Sequence, residues 1–128
     1  MKTTMLKILS VAALIGLFSQ QALAQDNAAA LKQIADIVAS LNHFPSDADK
    51  AVLADIAANQ SYPEGLRNMA TTVANINHSA SAEGKEMMAA IQANDAAPEG
   101  AKALAGVIAS VNHVPSDEAK ATLAQHFP

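Results

Sequence analysis

Three histidines, His43, His78 and His113, recur at an interval of 35 residues, and each follows an asparagine: Asn42, Asn77 and Asn112. Imidazole is the commonest transition-metal ligand and suits zinc, copper or nickel. A second polar residue keeps the same interval, giving Lys50, Lys85 and Lys120. These nine residues are the candidate ligand-binding set, and the three histidines alone are the candidate metal ligands.

The elements that must position them follow from the same period. Seven positions are identical at all three offsets: Ala35/Ala70/Ala105, Ala39/Ala74/Ala109, the Asn and His pairs, Ser46/Ser81/Ser116, Lys50/Lys85/Lys120 and Ala54/Ala89/Ala124. An internal period of this length marks stacked supersecondary units, none of which can bury its apolar face alone. Leu31, Ile34, Ile37, Val38 and Leu41 recur at spacings of three and four, the pattern of an amphipathic helix, and the other two copies repeat it. A shorter helix follows in each copy. Ser46, Ser81 and Ser116 stand where an N-cap is needed, and the Pro-Ser-Asp segments of the first and third copies sharpen that boundary. Pro63-Glu64-Gly65 and Pro98-Glu99-Gly100 open the second and third long helices, with proline and glutamate suited to a first turn.

The sequence therefore predicts an all-α fold of three tandem αα-hairpins and six helices, near 29–42, 46–59, 63–77, 81–94, 98–112 and 116–126. The hairpins would form either an open α-solenoid or a compact helical bundle. The period is close to that of tetratricopeptide repeats, but their signature aromatic positions are not filled, so the likeness is one of architecture alone. The third copy ends at Pro128 and carries His126 where the first has Ile56, as a terminal capping unit would.

Placed at the carboxyl ends of the long helices, the histidines would form one column along an edge of an open stack. Helix axes lie about 8–10 Å apart, so the outer two would stand roughly 16–20 Å from each other. One ion, held at about 2 Å from its ligands, could not reach all three. An adjacent pair helped by Asp47 or Asp117 would make an open, weak site, and a ring-closed bundle would remove the objection. The competing reading is structural: asparagine tolerates the left-handed conformation that ends helices, and histidine suits the negative end of the dipole. The lysine column likewise has two readings, an anion-attracting edge or a solvated face paired with Asp47, Glu83 or Glu118.

Lys2 and Lys7 precede an apolar run from Ile8 to Phe18 that ends in Ala22-Leu23-Ala24. This is the pattern of a Sec-type secretory signal, residues 1–24, cleaved before Gln25. The run is too short for a bilayer, and no cysteine follows it for lipid attachment, so the expected location is periplasmic or secreted with no stable membrane anchor. What remains, 25–128, is one helical-repeat domain with units near 28–62, 63–97 and 98–128. Its net charge is −6, from six basic and twelve acidic residues, which argues against nucleic acid or anionic lipid as a partner. The chain has no cysteine, which excludes disulfides, thiolate metal sites and thioether-linked haem. Met69, Met87 and Met88 lie on apolar faces, where core filling is their expected role, and no cofactor is required.

Nothing in the pattern suggests an enzyme. His43 and His113 each lie three residues before a serine, but those serines are needed as caps and no buried carboxylate is in place to orient an imidazole. The expectation is an exported non-catalytic repeat protein that binds a protein or peptide through one face, with a possible homo-oligomer. The alternative is a periplasmic histidine-based binder of a transition metal or small ligand.

Overall fold

The computed structural model describes residues 26–128, so the expected secretory signal, 1–24, lies outside the described residues. The described chain is all-helical, with no strands: α1 (26–39), α2 (Asp47–Ala58), α3 (Glu64–Ala74), α4 (Ala82–Ala93), α5 (Glu99–Ser110) and α6 (Asp117–His126). No helix among these is long and apolar enough to cross a membrane.

The core is built from equivalent positions 35 residues apart. Ile34, Met69 and Leu104 form one buried layer, Val38, Val73 and Ile108 the next, and Leu41, Ile76 and Val111 a third. Ala35, Ala70 and Ala105 are also buried, so the small side chain at this position lets the long helices approach closely. The shorter helices contribute Leu53, Met88 and Leu123. Met69 and Met88 are thus core fillers, and Met87 packs at the core's edge. Helix α2 packs on α3 and α4 on α5, while α3 with α4 and α5 with α6 form antiparallel hairpins. The hairpin α3–α4 is pulled tight at Gly84: a Cβ there would sit 2.7 Å from Cγ2 of the buried Thr72.

All three serine caps are made. The Ser46, Ser81 and Ser116 hydroxyls accept from the amides of Asp49, Gly84 and Ala119 at 3.1, 3.0 and 3.0 Å. Pro63 and Pro98 fall one residue outside their helices, as N-caps with no side-chain bond. At the other end, the long helices stop two to three residues before the sequence pattern does. Leu41, Ile76 and Val111 continue the apolar period because they are buried, not because they are helical.

The hairpins are arranged as a closed ring and not as an open stack. The decisive contact joins the first copy to the third: the His43 amide donates to the His113 carbonyl at 2.5 Å. Closure also changes the meaning of the third copy's altered end. Phe127 packs against the core, with its ring 3.3 Å from where a Cβ on Gly100 would lie, and it covers the start of α5 much as Ile91 covers the start of α3 at Gly65. Phe127 thus completes the α5–α6 hairpin.

Candidate metal centre

Between each long helix and the next shorter one runs the same short path. A buried apolar residue (Leu41, Ile76 or Val111) is followed by Asn-His, one variable residue, and a second buried residue (Pro45, Ala80 or Pro115). The Asn-His pair is therefore tethered on both sides to the core. With so little chain between anchors, the turn must be tight, and the histidine takes the strain: φ is 70° at His43, 72° at His78 and 71° at His113. Among the described residues these are the only non-glycine positions with positive φ. In the first and third copies the amide after the histidine donates back to the asparagine carbonyl at 2.8 Å, which closes a γ-turn of the rare, strained hand. In the second, Asn77 and Ser79 are bridged by the opposite bond, Asn77 amide to Ser79 carbonyl, at 3.3 Å.

The capping expectation is corrected here. The left-handed residue is the histidine, not the asparagine, and it lies beyond the helix end, not within its last turn. The reason lies across the ring axis. The histidine amides and carbonyls bond one another in a cycle: His43 to His113, His113 to His78 and His78 to His43, at 2.5, 2.5 and 2.6 Å. Positive φ turns each peptide inward so that it can join the cycle, which no residue within a helix could do.

This backbone cycle brings the three side chains together. Ring centroids are 5.2 Å apart for His43–His78, 5.1 Å for His43–His113 and 4.8 Å for His78–His113. One ligand nitrogen from each ring lies within 4.8 Å of the other two, far inside the 16–20 Å span of an open column. His43 is half-buried and the other two are exposed, so the cluster sits at the surface. Asp47 and Asp117, expected to complete a two-histidine site, are not part of the cluster.

Asn42 and Asn112 set the tautomer of the histidines that follow them. Nδ1 of His43 lies 2.6 Å from Oδ1 of Asn42, and Nδ1 of His113 lies 2.8 Å from Oδ1 of Asn112. An amide oxygen can only accept, so Nδ1 carries the proton and donates it, leaving Nε2 with a free lone pair. That outer hydrogen bond is the usual means by which a metal-ligating imidazole is oriented. Asn77 makes no such bond, and the His78 ring lies tilted at 39° to that of His113 while His43 stands edge-on to both.

The spacing is compatible with one ion. Any three points no more than 4.8 Å apart have a centre within about 2.8 Å of each, against the about 2.0–2.1 Å of a zinc–imidazole bond. Rotation about χ1 and χ2, drawing each ligand nitrogen in by roughly 1 Å, would close the gap, and exposed side chains have room for it.

Lys50, Lys85 and Lys120 are exposed one turn into the shorter helices and do not belong to the cluster. None pairs with Asp47, Glu83 or Glu118; the ion pairs among the described residues are Lys32–Asp36 and Lys102–Glu99. Lys50 instead places Nζ 5.8 Å from the centre of the Phe44 ring. Phe44 and Val114 are what the sequence reading missed. Among the described residues they are the exposed large hydrophobics, at 56% and 48% exposure, and they directly follow His43 and His113. The third equivalent residue is Ser79, so no repeat pattern flags the position.

An apolar cleft of about 280 Å³ lies among the N-terminal turns of the long helices, lined by Leu31, Leu66, Met69, Ile91 and Ala101. It is at the far end of those helices from the histidines and contains none of the repeated polar residues. Compared with protein families, curated proteins and solved structures, the chain matches no family model, no curated protein and no solved structure. Function is therefore argued from the site.

Proposed function

We propose that the protein is an exported, non-catalytic binder of a single first-row transition-metal ion, held by one imidazole nitrogen from each of His43, His78 and His113. The observation that carries this is the combination of strained backbone and convergent side chains. A left-handed position is most cheaply filled by glycine, and next by asparagine. The hydrogen-bonded cycle uses peptide groups only, so any residue that tolerates positive φ would serve it. Histidine at all three positions, each ring directed toward the same axis, is accounted for by a demand on the side chain. Strain stored where three potential ligands meet is the kind of outlier from which function is properly inferred.

Three imidazoles occupy one face of the ion's coordination sphere and leave the other open, which suits reversible uptake more than permanent structural binding. Stability should follow the usual rise from cobalt through nickel to copper, with zinc below copper. Catalysis is not part of the proposal: Ser46, Ser81 and Ser116, each three residues beyond a histidine, are engaged as helix caps. Export rests on the N-terminal pattern of the sequence alone.

The proposal is tested by titrating the purified protein with zinc, nickel or copper salts at neutral pH, using calorimetry and thermal unfolding. Binding to the native state must raise the melting temperature. Absence of both heat and shift for all three ions would exclude the site. A protein or peptide partner, bound through one face, is the second reading, and what favours it is the exposed pair Phe44 and Val114.

A further inference from the structure

We infer that the trihistidine face is also a self-association surface: two copies of this chain meet face to face and share one six-coordinate ion, each supplying three imidazoles. This rests on the metal-binding reading above. Three observations lead to it. First, three nitrogens grouped on one side of an octahedral ion leave three adjacent positions on the other side, and a second trihistidine face related by a twofold axis fills them with the same chemistry. Second, Phe44 and Val114, the exposed large hydrophobics among the described residues, directly follow His43 and His113 in the chain, so apolar surface is tethered next to the site. A closed, isologous pair is the commonest way for one surface to satisfy itself.

The third observation is charge. The shorter helices all begin at this face, and their first turns carry Asp47, Asp49, Glu83, Asp117 and Glu118. Against these five carboxylates stand Lys50, Lys85 and Lys120 one turn further in, a net of −2 for the rim. Two such rims repel each other, and a dication between them offsets the repulsion, so association is coupled to the ion. The coupling is geometric as well. In an octahedron with bonds of about 2.1 Å the two planes of three nitrogens are only about 2.4 Å apart. At that separation the imidazoles of the two copies interleave and the apolar rims are brought into contact.

Nickel is the probe, because nitrogen donors hold it readily in six-coordinate form. The protein is titrated with Ni²⁺ alone, following heat by calorimetry and mass by light scattering or sedimentation. The expected result is half an ion per chain at saturation and a doubled mass that EDTA returns to that of one chain. X-ray absorption should report about six nitrogen neighbours. One ion per chain with unchanged mass overturns the shared ion and leaves the single-chain site standing. No binding at all removes the site itself. A doubled mass that persists in EDTA shows association without the ion and overturns the coupling. The Phe44→Ser, Val114→Ser double variant keeps every ligand, and should weaken the nickel-dependent dimer at least about tenfold, given the apolar area it removes. Unchanged dimer affinity in that variant overturns the role of the rim.

Discussion

Replacing His43, His78 and His113 together by glycine separates what the backbone needs from what the side chains do. An L-residue at φ near 70° costs roughly 1–2 kcal/mol, and glycine removes that cost while losing about 0.5–1 kcal/mol to the greater freedom of the unfolded chain. The net per position is about zero to 1.5 kcal/mol in favour of glycine, and the hydrogen-bonded cycle, made by peptide groups, is untouched. The rings are exposed or half-buried, so little packing is lost. In EDTA the triple glycine variant should therefore be as stable as the native protein or up to about 4.5 kcal/mol more so. For a domain of this size that upper bound corresponds to a rise in Tm of roughly 18–36 °C. The triple alanine variant keeps the strain, and should fall below the glycine variant by about 1 kcal/mol per site. With zinc or nickel at about a hundredfold excess over Kd the native protein should gain about 2.7 kcal/mol, and neither variant should gain anything. Urea unfolding with and without metal measures all four quantities. A glycine variant destabilised by several kcal/mol in EDTA would mean that the rings themselves hold the fold, and the inference from strain to ligand would be refuted.

The Asn42→Ala, Asn112→Ala double variant removes the acceptors that hold Nδ1 of His43 and His113 and should weaken metal binding about 10–100-fold in competition with a chelating dye; Asn77→Ala, which loses no such bond, should change it little. Gly84→Ala forces a methyl to 2.7 Å from Cγ2 of Thr72, a buried side chain whose hydroxyl donates to the Asn68 carbonyl. The expected loss is about 1–3 kcal/mol in chemical denaturation, reduced by up to about 1 kcal/mol from alanine's better helix propensity. Ser46→Ala and Ser116→Ala each delete a cap bond to the N3 amide and should cost about 1 kcal/mol apiece, with metal affinity measured by calorimetry unchanged.

The hairpins were legible in the sequence because their signals are local. Serine before a run of periodic apolar residues reports a helix start whatever the helix later packs against, and the rows Ile34/Met69/Leu104 and Val38/Val73/Ile108 are buried as their spacing implies. Two features were not legible. The first is closure: an open stack and a ring of three ask for the same nearest-neighbour contacts between successive hairpins, and they differ only in whether the last meets the first. That meeting is made at the His43 and His113 peptides, and a backbone bond leaves no trace in residue type. The second is which residue turns left-handed. Propensity assigns that to asparagine, and the neighbouring histidine takes it instead because only that placement points its peptide at the axis. The overshoot of the long helices has the same origin, since Leu41, Ile76 and Val111 stay buried after the helix has ended and so prolong the apolar period past it.

Closure at three copies is also what makes a metal centre geometrically available. Each hairpin supplies one imidazole, so no copy contains a site, and the distance from ligands to axis depends on how many copies share the ring. With neighbouring rings 4.8 to 5.2 Å apart, three of them stand about 2.9 Å from their common axis, close enough for side-chain rotation to reach a bond length of about 2.1 Å. Four at the same spacing would stand about 3.5 Å away, and two would leave an ion half-ligated. A fourth copy inserted in register should therefore abolish single-ion binding even if every hairpin still folds, which far-ultraviolet circular dichroism would establish independently. Retained binding at full affinity in such a protein would mean that an adjacent pair of histidines suffices, and that the threefold cycle of peptides is only a fastening for the ring.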